Sequence, residues 1–265
     1  MTTHADELAR GERFDFGENW SRFLRLLDEN RIAAAEAGLR RMLGVDDLRG
    51  KSFLDIGSGS GLMSLAARRL GATVVSFDYD PKSVACTTEL RRRFFSEDSS
   101  WRVTSGSVLD SAFMAALGSF DVVYSWGVLH HTGRMWDAMR AAAERVARGG
   151  SFFIAIYNDQ GFRSRYWRAV KRLYNRNRFG RFAMTIVHVP NVFLARVIVR
   201  AMTGRLGGNR GMSLWYDMHD WLGGYPFEVA TPQAIIDFLA PLGFAAVKTN
   251  CTRRYGCNEF VFARR

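Results

Sequence analysis

Ser52-Phe53-Leu54-Asp55-Ile56-Gly57-Ser58-Gly59-Ser60-Gly61 runs from an apolar stretch straight into three glycines at alternate positions. Leu62 to Leu70 follows with helical character, and a second apolar run, Thr73 to Phe77, ends in Asp78, 21 residues after Gly57. This spacing predicts a strand, a tight turn and a helix that carry a nucleotide-like ligand, with an acidic residue placed for ribose hydroxyls. Glycine is required there because the backbone turns sharply and approaches the ligand with no Cβ in the way. The same spacing excludes other ligands. A dinucleotide fingerprint needs glycine at the first, third and sixth positions; the sixth position is Leu62 counted from Gly57 and Ser64 counted from Gly59. The phosphate-cradling G-x-x-x-x-G-K-[ST] pattern is absent as well.

The chain of 265 residues suits one large domain, or one domain with an elaboration, and 48% apolar with 13% aromatic content supports a sizeable core. The net charge of +11 is unevenly placed. Residues 160–210 hold twelve basic side chains and no Asp or Glu, which leaves 25 basic against 26 acidic residues elsewhere. Such asymmetry points to an acidic partner or surface. The N-terminal stretch is polar and carries acids, so no secretory signal is expected. The longest apolar zone, Phe182 to Thr203, is broken by His188, Pro190, Asn191, Arg196 and Arg200, and is too polar for a simple membrane span. Cys86, Cys251 and Cys257 give neither a disulfide framework nor metal-ligand spacing, so a reducing, cytoplasmic setting and no metal site are expected.

Along the chain, residues 20–43 read as an amphipathic helix with Phe23, Leu26, Leu27, Ile32 and Leu39 on one stripe. Asp80-Pro81 starts a helix reaching about Phe94. Further strands are expected at Trp101–Thr104, Phe120–Ser125 and Ser151–Tyr157, and a helix over Trp136–Arg148 stopped by Gly149-Gly150. Thr231-Pro232 caps a helix to Leu242, and Ala245–Thr252 with Asn258–Ala263 read as a hairpin around Tyr255-Gly256. Strands alternating with helices predict an α/β fold with a doubly wound, mostly parallel seven-stranded sheet, whose ligands bind outside the carboxyl ends of the strands.

With its acid-x-G-x-G-x-G loop and Asp78, the chain resembles the class I S-adenosylmethionine-dependent methyltransferases over about residues 48–157 and 231–263. The resemblance implies a Rossmann-like methyltransferase fold and S-adenosyl-L-methionine as cofactor. It implies that Gly57, Ser58, Gly59 and Gly61 face the methionine part of the cofactor. Asp55 would contact its methionyl end, and Asp78, followed by Tyr79, the ribose. Ser107-Val108 would touch the adenine, through backbone, because Ser107 stands where many relatives carry an acid. Ser125-Trp126 would lie beside the transferred methyl. Val128-Leu129-His130-His131-Thr132 is similar to a stretch in quinone-biosynthesis-type small-molecule O-methyltransferases, which handle hydrophobic phenolic substrates at a membrane.

The expected organisation is an N-terminal helical arm (1–47), a cofactor-binding core (48–157 and 231–265) and a basic, aromatic-rich lid (158–230) inserted after the fifth strand. A normal connection there is much shorter. Leaving the carboxyl end of that strand, the insertion is expected over the ligand edge. Trp20, Tyr157, Trp215, Trp221 and Tyr225 are the candidate acceptor contacts, and Phe14, Phe16 and Asn19 join Trp20 on the arm. An oxygen acceptor whose pKa is well above 7 needs a base, for which His130, His131, His219, Asp220 and Glu228 are candidates. The lid's mixture of arginines with apolar and aromatic residues suits an interfacial helix on an anionic membrane, a nucleic-acid backbone, or a lid packed on its own domain with its arginines in water. Ser125-Trp126-Gly127-Val128 stands where an Asn-Pro-Pro-Tyr-type motif would be, which counts against nucleic acid. A small or lipid-like acceptor is the leading reading. An RNA-directed methyltransferase and a non-catalytic cofactor-binding partner protein are the alternatives. O-, N- and C-methylation and the oligomeric state stay open.

Overall fold

Several of the described helices begin at a local capping signal. The computed structural model describes residues 3–15, 17, 20, 24–188, 190, 222–252 and 256–265. Helix α1 (His4–Ala9) opens with a capping box between Thr3 and Asp6. Helix α2 (Glu29–Leu43) begins where the Asp28 side chain accepts from the Arg31 N–H, and ends on left-handed Gly44. The single helix expected over 20–43 is therefore interrupted: Trp20 is helical, residues 24–28 turn, and the longer helix begins at Glu29. The N-capping carboxylate of Asp28 stops it from extending backward, and Leu26 is exposed. Phe16, Asn19 and Phe23 lie outside the described residues.

Strand β1 (Ser52–Ile56) leads through the glycine loop into α3 (Leu62–Arg69). Then come β2 (Thr73–Asp78), α4 (Pro81–Phe95), β3 (Trp101–Ser105), α5 (Ser111–Ala116) and β4 (Phe120–Trp126). A 3-10 turn, Leu129–His131, joins β4 to α6 (Met135–Ala143). Strand β5 (Val146–Tyr157) is followed by α7 (Phe162–Arg176), and residues 178–188 are again helical. The chain closes with α8 (Pro232–Leu239), β6 (Phe244–Asn250) and β7 (Cys257–Arg264). Helix α5 went unread in the sequence although Asp110 caps it, accepting from the Phe113 N–H at 3.0 Å.

Gly149-Gly150, expected to stop a helix, lies inside β5. The strand already begins at Val146, and its register against β4 slips between Phe120 and Val122. A Cβ on Gly150 would sit 2.8 Å from the Asp121 carbonyl, so glycine is demanded by a strand irregularity rather than a helix end. The Gly50-Lys51-Ser52 run has Val45 where a phosphate loop needs its first glycine, and it feeds the amino end of β1, opposite the ligand edge.

The strands form one seven-stranded sheet in the order β3-β2-β1-β4-β5-β7-β6. Five run parallel; β7 is antiparallel to β5, and β6 pairs with β7 as the expected hairpin. Alternate strand residues feed two cores. Leu54, Ile56, Val123, Phe152, Ile154, Phe260 and Phe262 pack under α5, α6 and α8. Phe53, Val74, Val122, Tyr124, Phe153 and Val261 pack under α2, α3 and α4. Burying both faces is what gives these strands their continuous apolar character. Each large side chain removed from water contributes about 1.5–3 kcal/mol.

Candidate functional site

The order in which strands are added reverses between β1 and β4, and the carboxyl ends of β1, β2, β4 and β5 meet at that edge. Ligands of doubly wound sheets bind at such a switch point. The glycine loop is held by its own backbone. The amides of Gly57 and Ser58 donate to the Phe77 carbonyl at 2.9 and 3.1 Å, and Gly61 donates to Ser58 at 2.8 Å. Gly57 has φ 74°, and a Cβ there would stand 2.4 Å from Val128 Cγ1. The Gly59 N–H donates to Asp78 Oδ2 at 2.9 Å, and the Asp80 N–H to Asp78 Oδ1 at 3.0 Å. Each carboxylate oxygen has a second lone pair, so the carboxylate keeps room for two further donors such as vicinal hydroxyls. Part of Asp78 is exposed, yet burial pushes its carboxyl up to about 6, against the opposing pull of those amides.

Asp55 lies beneath the loop rather than in the cleft: it is 2% exposed. Its Oδ2 accepts from the Ser64 hydroxyl, Ser64 and Ser76 hydroxyls meet at 2.7 Å, and Trp101 Nε1 reaches Ser76 Oγ at 2.8 Å. An indole N–H only donates. With Asp55 ionised the proton order is fixed: Trp101 gives to Ser76, Ser76 to Ser64, and Ser64 to Asp55. This chain ties the first turn of α3 to β1 and β2. Burial pushes the Asp55 carboxyl up to about 7, and the nearby Asp78 charge adds to the rise.

The arm closes over this edge. Trp20 lies against Gly59, with Cε2 3.0 Å from where a Cβ would be, and Gly17 abuts Asp80 and Lys82. Tyr79 is enclosed by the His4 ring at 5.4 Å and the Arg13 guanidinium at 5.0 Å, and its hydroxyl donates to Glu7. Arg13 Nη1 donates to the His131 carbonyl at 3.1 Å, so the arm spans from the β2 end to the β4 end.

Beyond β4, His130, His131, Tyr157 and Phe227 form a packed aromatic group. The His130 and Tyr157 centroids are 4.0 Å apart, His130 and His131 4.5 Å, and Tyr157 and Phe227 5.2 Å. The Lys171 ammonium, fully buried on α7, lies 4.9 Å from the Phe227 centroid. His131 Nδ1 meets the Pro226 carbonyl at 2.6 Å, which puts the proton on Nδ1. Burial, outweighing that bond, pushes His131 down to about 3, with Lys171 and Arg13 adding to the fall. Burial first, then His131 and Lys171, hold His130 well below the usual imidazole range. The Glu228 carboxylate accepts from the Met135 N–H at 3.1 Å at the start of α6, and burial raises it.

Several sequence expectations are thereby revised. The Ser125 side chain is fully buried and its hydroxyl donates to the Ile56 carbonyl, so it joins strands instead of facing the cleft. Val108 is a core side chain, and Ser107 Oγ accepts from the Leu109 N–H, which leaves its O–H and the backbone of the turn to face a ligand. Trp126 Nε1 donates to Glu259 on β7 at 2.8 Å; its ring reaches across Ala155 of β5, away from the glycine loop. Tyr225 is held by the Phe14 N–H donating to its carbonyl, which links arm and insertion. Trp215, Trp221, His219 and Asp220 lie outside the described residues, as do Arg196, Arg200 and Tyr255. Sequence reading missed Arg13, Lys171, Phe227 and Glu259. Lys171 was findable, since it shares the buried face of α7 with Ser164, Val170, Tyr174 and Asn175 at helical spacing.

A cavity of about 750 Å³ opens on the same edge, beyond β5, between Asn158, Asp159, Phe162, Arg163, Cys251 and Thr252. Among the described residues no cluster of three or more His, Cys, Asp or Glu side chains is placed to hold a metal.

A family model described as a methyltransferase domain matches residues 27–203, two thirds of the sequence. The chain belongs to the methyltransferase domain family. Family and fold agree with the S-adenosylmethionine-dependent enzyme expected from the glycine loop. Among curated proteins this methyltransferase is 31% identical to a ubiquinone biosynthesis O-methyltransferase of Methylobacterium sp. (strain 4-46) over 128 residues, 48% of this chain and 49% of that one. It is 33% identical over 112 residues to the same-named protein of Xanthomonas oryzae pv. oryzae (strain PXO99A), covering 42% and 45%. The chain spans about half the length of the curated relatives it matches. Among solved structures it is similar to magnesium protoporphyrin IX methyltransferase from Synechocystis PCC 6803 with bound SAH, at TM-score 0.54, 15% identity and coverage of 92% and 86%. It is also similar to an O-methyltransferase family protein from Burkholderia thailandensis, at TM-score 0.56 and 13% identity, covering 99% of this chain and 63% of that one. At such identities the likeness concerns the fold.

Proposed function

We propose that this methyltransferase transfers a methyl group from S-adenosylmethionine to an oxygen of a small or lipid-like acceptor. One observation carries the donor assignment: the Asp78 carboxylate, anchored by the Gly59 and Asp80 amides, stands at the β2 end with acceptor capacity to spare. In this reading Asp78 takes the ribose hydroxyls, and Tyr79 with the turn at Ser107 borders the adenine. Gly57, Ser58, Gly59 and Gly61 line the methionine part, and Asp55 shapes that loop through Ser64. Bound there, the cofactor supplies an electrophilic methyl. The chain's own work is alignment and exclusion of water, which in-line transfer chiefly requires. Trp20 and the arm cover the loop, and Tyr157 with Tyr225 borders the acceptor.

His130, the sequence's first choice of base, is held neutral and fully buried, which makes it a weak proton acceptor and a better N–H donor. An oxygen acceptor fits the curated relatives, which are named as O-methyltransferases. A lipid-like acceptor met at an anionic membrane surface fits the outer face of α7 and residues 178–188. Phe162, Phe179 and Phe182 are 74%, 79% and 64% exposed there, among Arg163, Arg165, Arg172, Arg176, Arg178 and Arg181. No described helix is long and apolar enough to cross a membrane. Calorimetry with S-adenosylhomocysteine tests the core of the reading. Wild type binds, and Asp78→Ala weakens binding at least about tenfold, the equivalent of about 1.4 kcal/mol. Unchanged affinity removes the ribose assignment.

A further inference from the structure

Trp101, Ser76 and Ser64 stand in a row inside the core and lead to Asp55, the carboxyl beneath the glycine loop. Strand pairing explains why they meet. Asp55 of β1 and Ser76 of β2 are register partners, so both point to the face covered by α3. Trp101 of β3 is the partner of Val74, two residues before Ser76, and its indole reaches Ser76 along that same face. Ser64, in the first turn of α3, comes down onto the pair. All four residues are 2% exposed or less. Among Phe53, Leu65, Val74 and Tyr124 such groups are costly unless each is satisfied, and a satisfied series of hydrogen bonds polarises along its length. With Asp55 ionised every donor in the series points toward it, which favours the charged carboxylate over the protonated one. Burial works against that and pushes Asp55 up to about 7, which leaves its charge adjustable near neutral pH.

We propose that Trp101 and Ser76 are positioning residues of the methyl-donor site: acting through Ser64, they keep a negative charge on Asp55 beneath the glycine loop, and that charge favours the sulfonium donor over its product. The inference rests on the methyl-transfer reading and deepens it. Before transfer the donor sulfur is cationic. As the S–C bond breaks the bonding pair stays on sulfur, and the product sulfur is neutral. An anion under the loop holds the first more tightly than the second, which aids both capture of the donor and release of the product. The charged and titratable groups on the neighbouring elements leave this task to the series. Asp78, at the end of β2, adds a second negative charge and raises Asp55 further, and Asp80 beyond it accepts from the Lys82 N–H at the start of α4. Arg68 and Arg69, at the far end of α3, pair with Asp98 and with Glu29 and Glu36. On β4, Tyr124 is the register partner of Asp55, and Asp121 is bonded to Ser52 at the opposite end of the strands. Among the described residues the partner of the Asp55 carboxylate is a hydroxyl and not a cation.

The test measures Kd for S-adenosylmethionine and for S-adenosylhomocysteine by calorimetry on the full chain, from about pH 5.5 to 7.5, and follows their ratio. The ribose contact of Asp78 is common to both ligands and drops out of the ratio. In wild type the donor is expected to gain on the product by about threefold or more as pH rises. Trp101→Phe and Ser76→Ala should each move the midpoint of that rise upward by about half a unit to one unit, and Asp55→Asn should abolish the rise. A role in packing alone would weaken both ligands at every pH and leave the midpoint in place. Should Trp101→Phe fail to fold, Ser76→Ala, which removes a single hydroxyl from the middle of the series, decides. A flat ratio in wild type, an unmoved midpoint in the folded variants, or a rise that survives Asp55→Asn overturns the inference. If S-adenosylhomocysteine binds and depends on Asp78, those results remove the role of Trp101 and Ser76 alone. If neither ligand binds, the methyl-transfer reading falls.

Discussion

Gly57→Ala is expected to cost more than its backbone alone explains, and Gly127→Ala supplies the comparison. Both glycines are left-handed, at φ 74° and 76°. An alanine in that region costs about 1–2 kcal/mol from contact between its Cβ and its own carbonyl. At Gly127 the new methyl meets nothing within 4 Å, so that cost is the whole effect. At Gly57 the methyl would lie 2.4 and 2.5 Å from the two Val128 methyls and 3.0 Å from Val128 Cβ. A β-branched side chain has little rotamer freedom with which to move aside. Val128 begins the turn that carries His130 and His131, so relief must shift that turn or the loop. Overpacking of this kind adds about 1–3 kcal/mol. Gly57→Ala should therefore be less stable than Gly127→Ala by about 1–3 kcal/mol, read as a lower urea midpoint at equal m-value. Calorimetry should also show S-adenosylhomocysteine affinity falling for Gly57→Ala, because displacement of the loop moves the Gly59 amide off Asp78. Equal losses within about 0.5 kcal/mol, or a larger loss at Gly127, would refute the steric argument.

Two carboxyls and two imidazoles give pH dependences of opposite sign. Asp55 and Asp78 are raised to about 7 and 6, so the folded form holds protons that the unfolded chain has released; their contribution is full below pH 4 and is lost as pH rises through 6 to 7. Asp55→Asn, which keeps an oxygen for Ser64, should flatten that loss in urea midpoints measured from pH 5 to 8. His131, lowered to about 3, works the other way: its contribution is full above pH 6.5 and is lost progressively as pH falls toward 3, and His131→Gln should remove that acid-side slope. Affinity for S-adenosylhomocysteine should drop as pH falls through about 6, where Asp78 takes up its proton, and Asp78→Asn should be weak and pH-independent over the same range. Sedimentation with anionic phosphatidylglycerol vesicles should retain wild type, and Phe179→Glu should lose about tenfold in retention with no change in thermal midpoint; equal retention counts against the membrane surface.

The β1–loop–α3–β2 unit was legible because its requirements are local. A left-handed turn wants glycine, and a ribose site at the β2 end wants an acid about 20 residues on. Strand number and the closing hairpin were legible for the same reason: alternating apolar runs separated by glycine and proline signals. What failed depended on partners distant in sequence. Gly149-Gly150 looks like a helix stop until β4 is beside it, and only then does Asp121 show why no Cβ fits. Ser125 and Val108 were placed at strand ends correctly, but which way each side chain turns follows from the sheet's two faces. Trp126 was judged by its position on β4, whereas its indole is claimed by Glu259, 133 residues later. Lys171 was hidden in a crowd of arginines, where composition speaks of the segment's sum and conceals the one basic residue among its described members that is fully buried.

The Asn158–Ala230 bridge has a consequence for how this protein varies. Asp159 N donates to the Ala230 carbonyl, and Ala230 N donates to the Tyr157 carbonyl. The strand end and the chain returning to α8 are thus stitched together at one point, and everything between them leaves and re-enters through adjacent residues. The sheet pairing on either side needs nothing from the excursion. Changing its length costs the sheet only loop closure, which grows slowly with length, whereas exchanging it must also keep the contacts that Tyr225, Pro226, Phe227 and Glu228 make with Phe14, His131, Tyr157 and Met135. Grafting a relative's segment between residues 158 and 230 onto this bridge is a direct test of whether the segment sets acceptor choice.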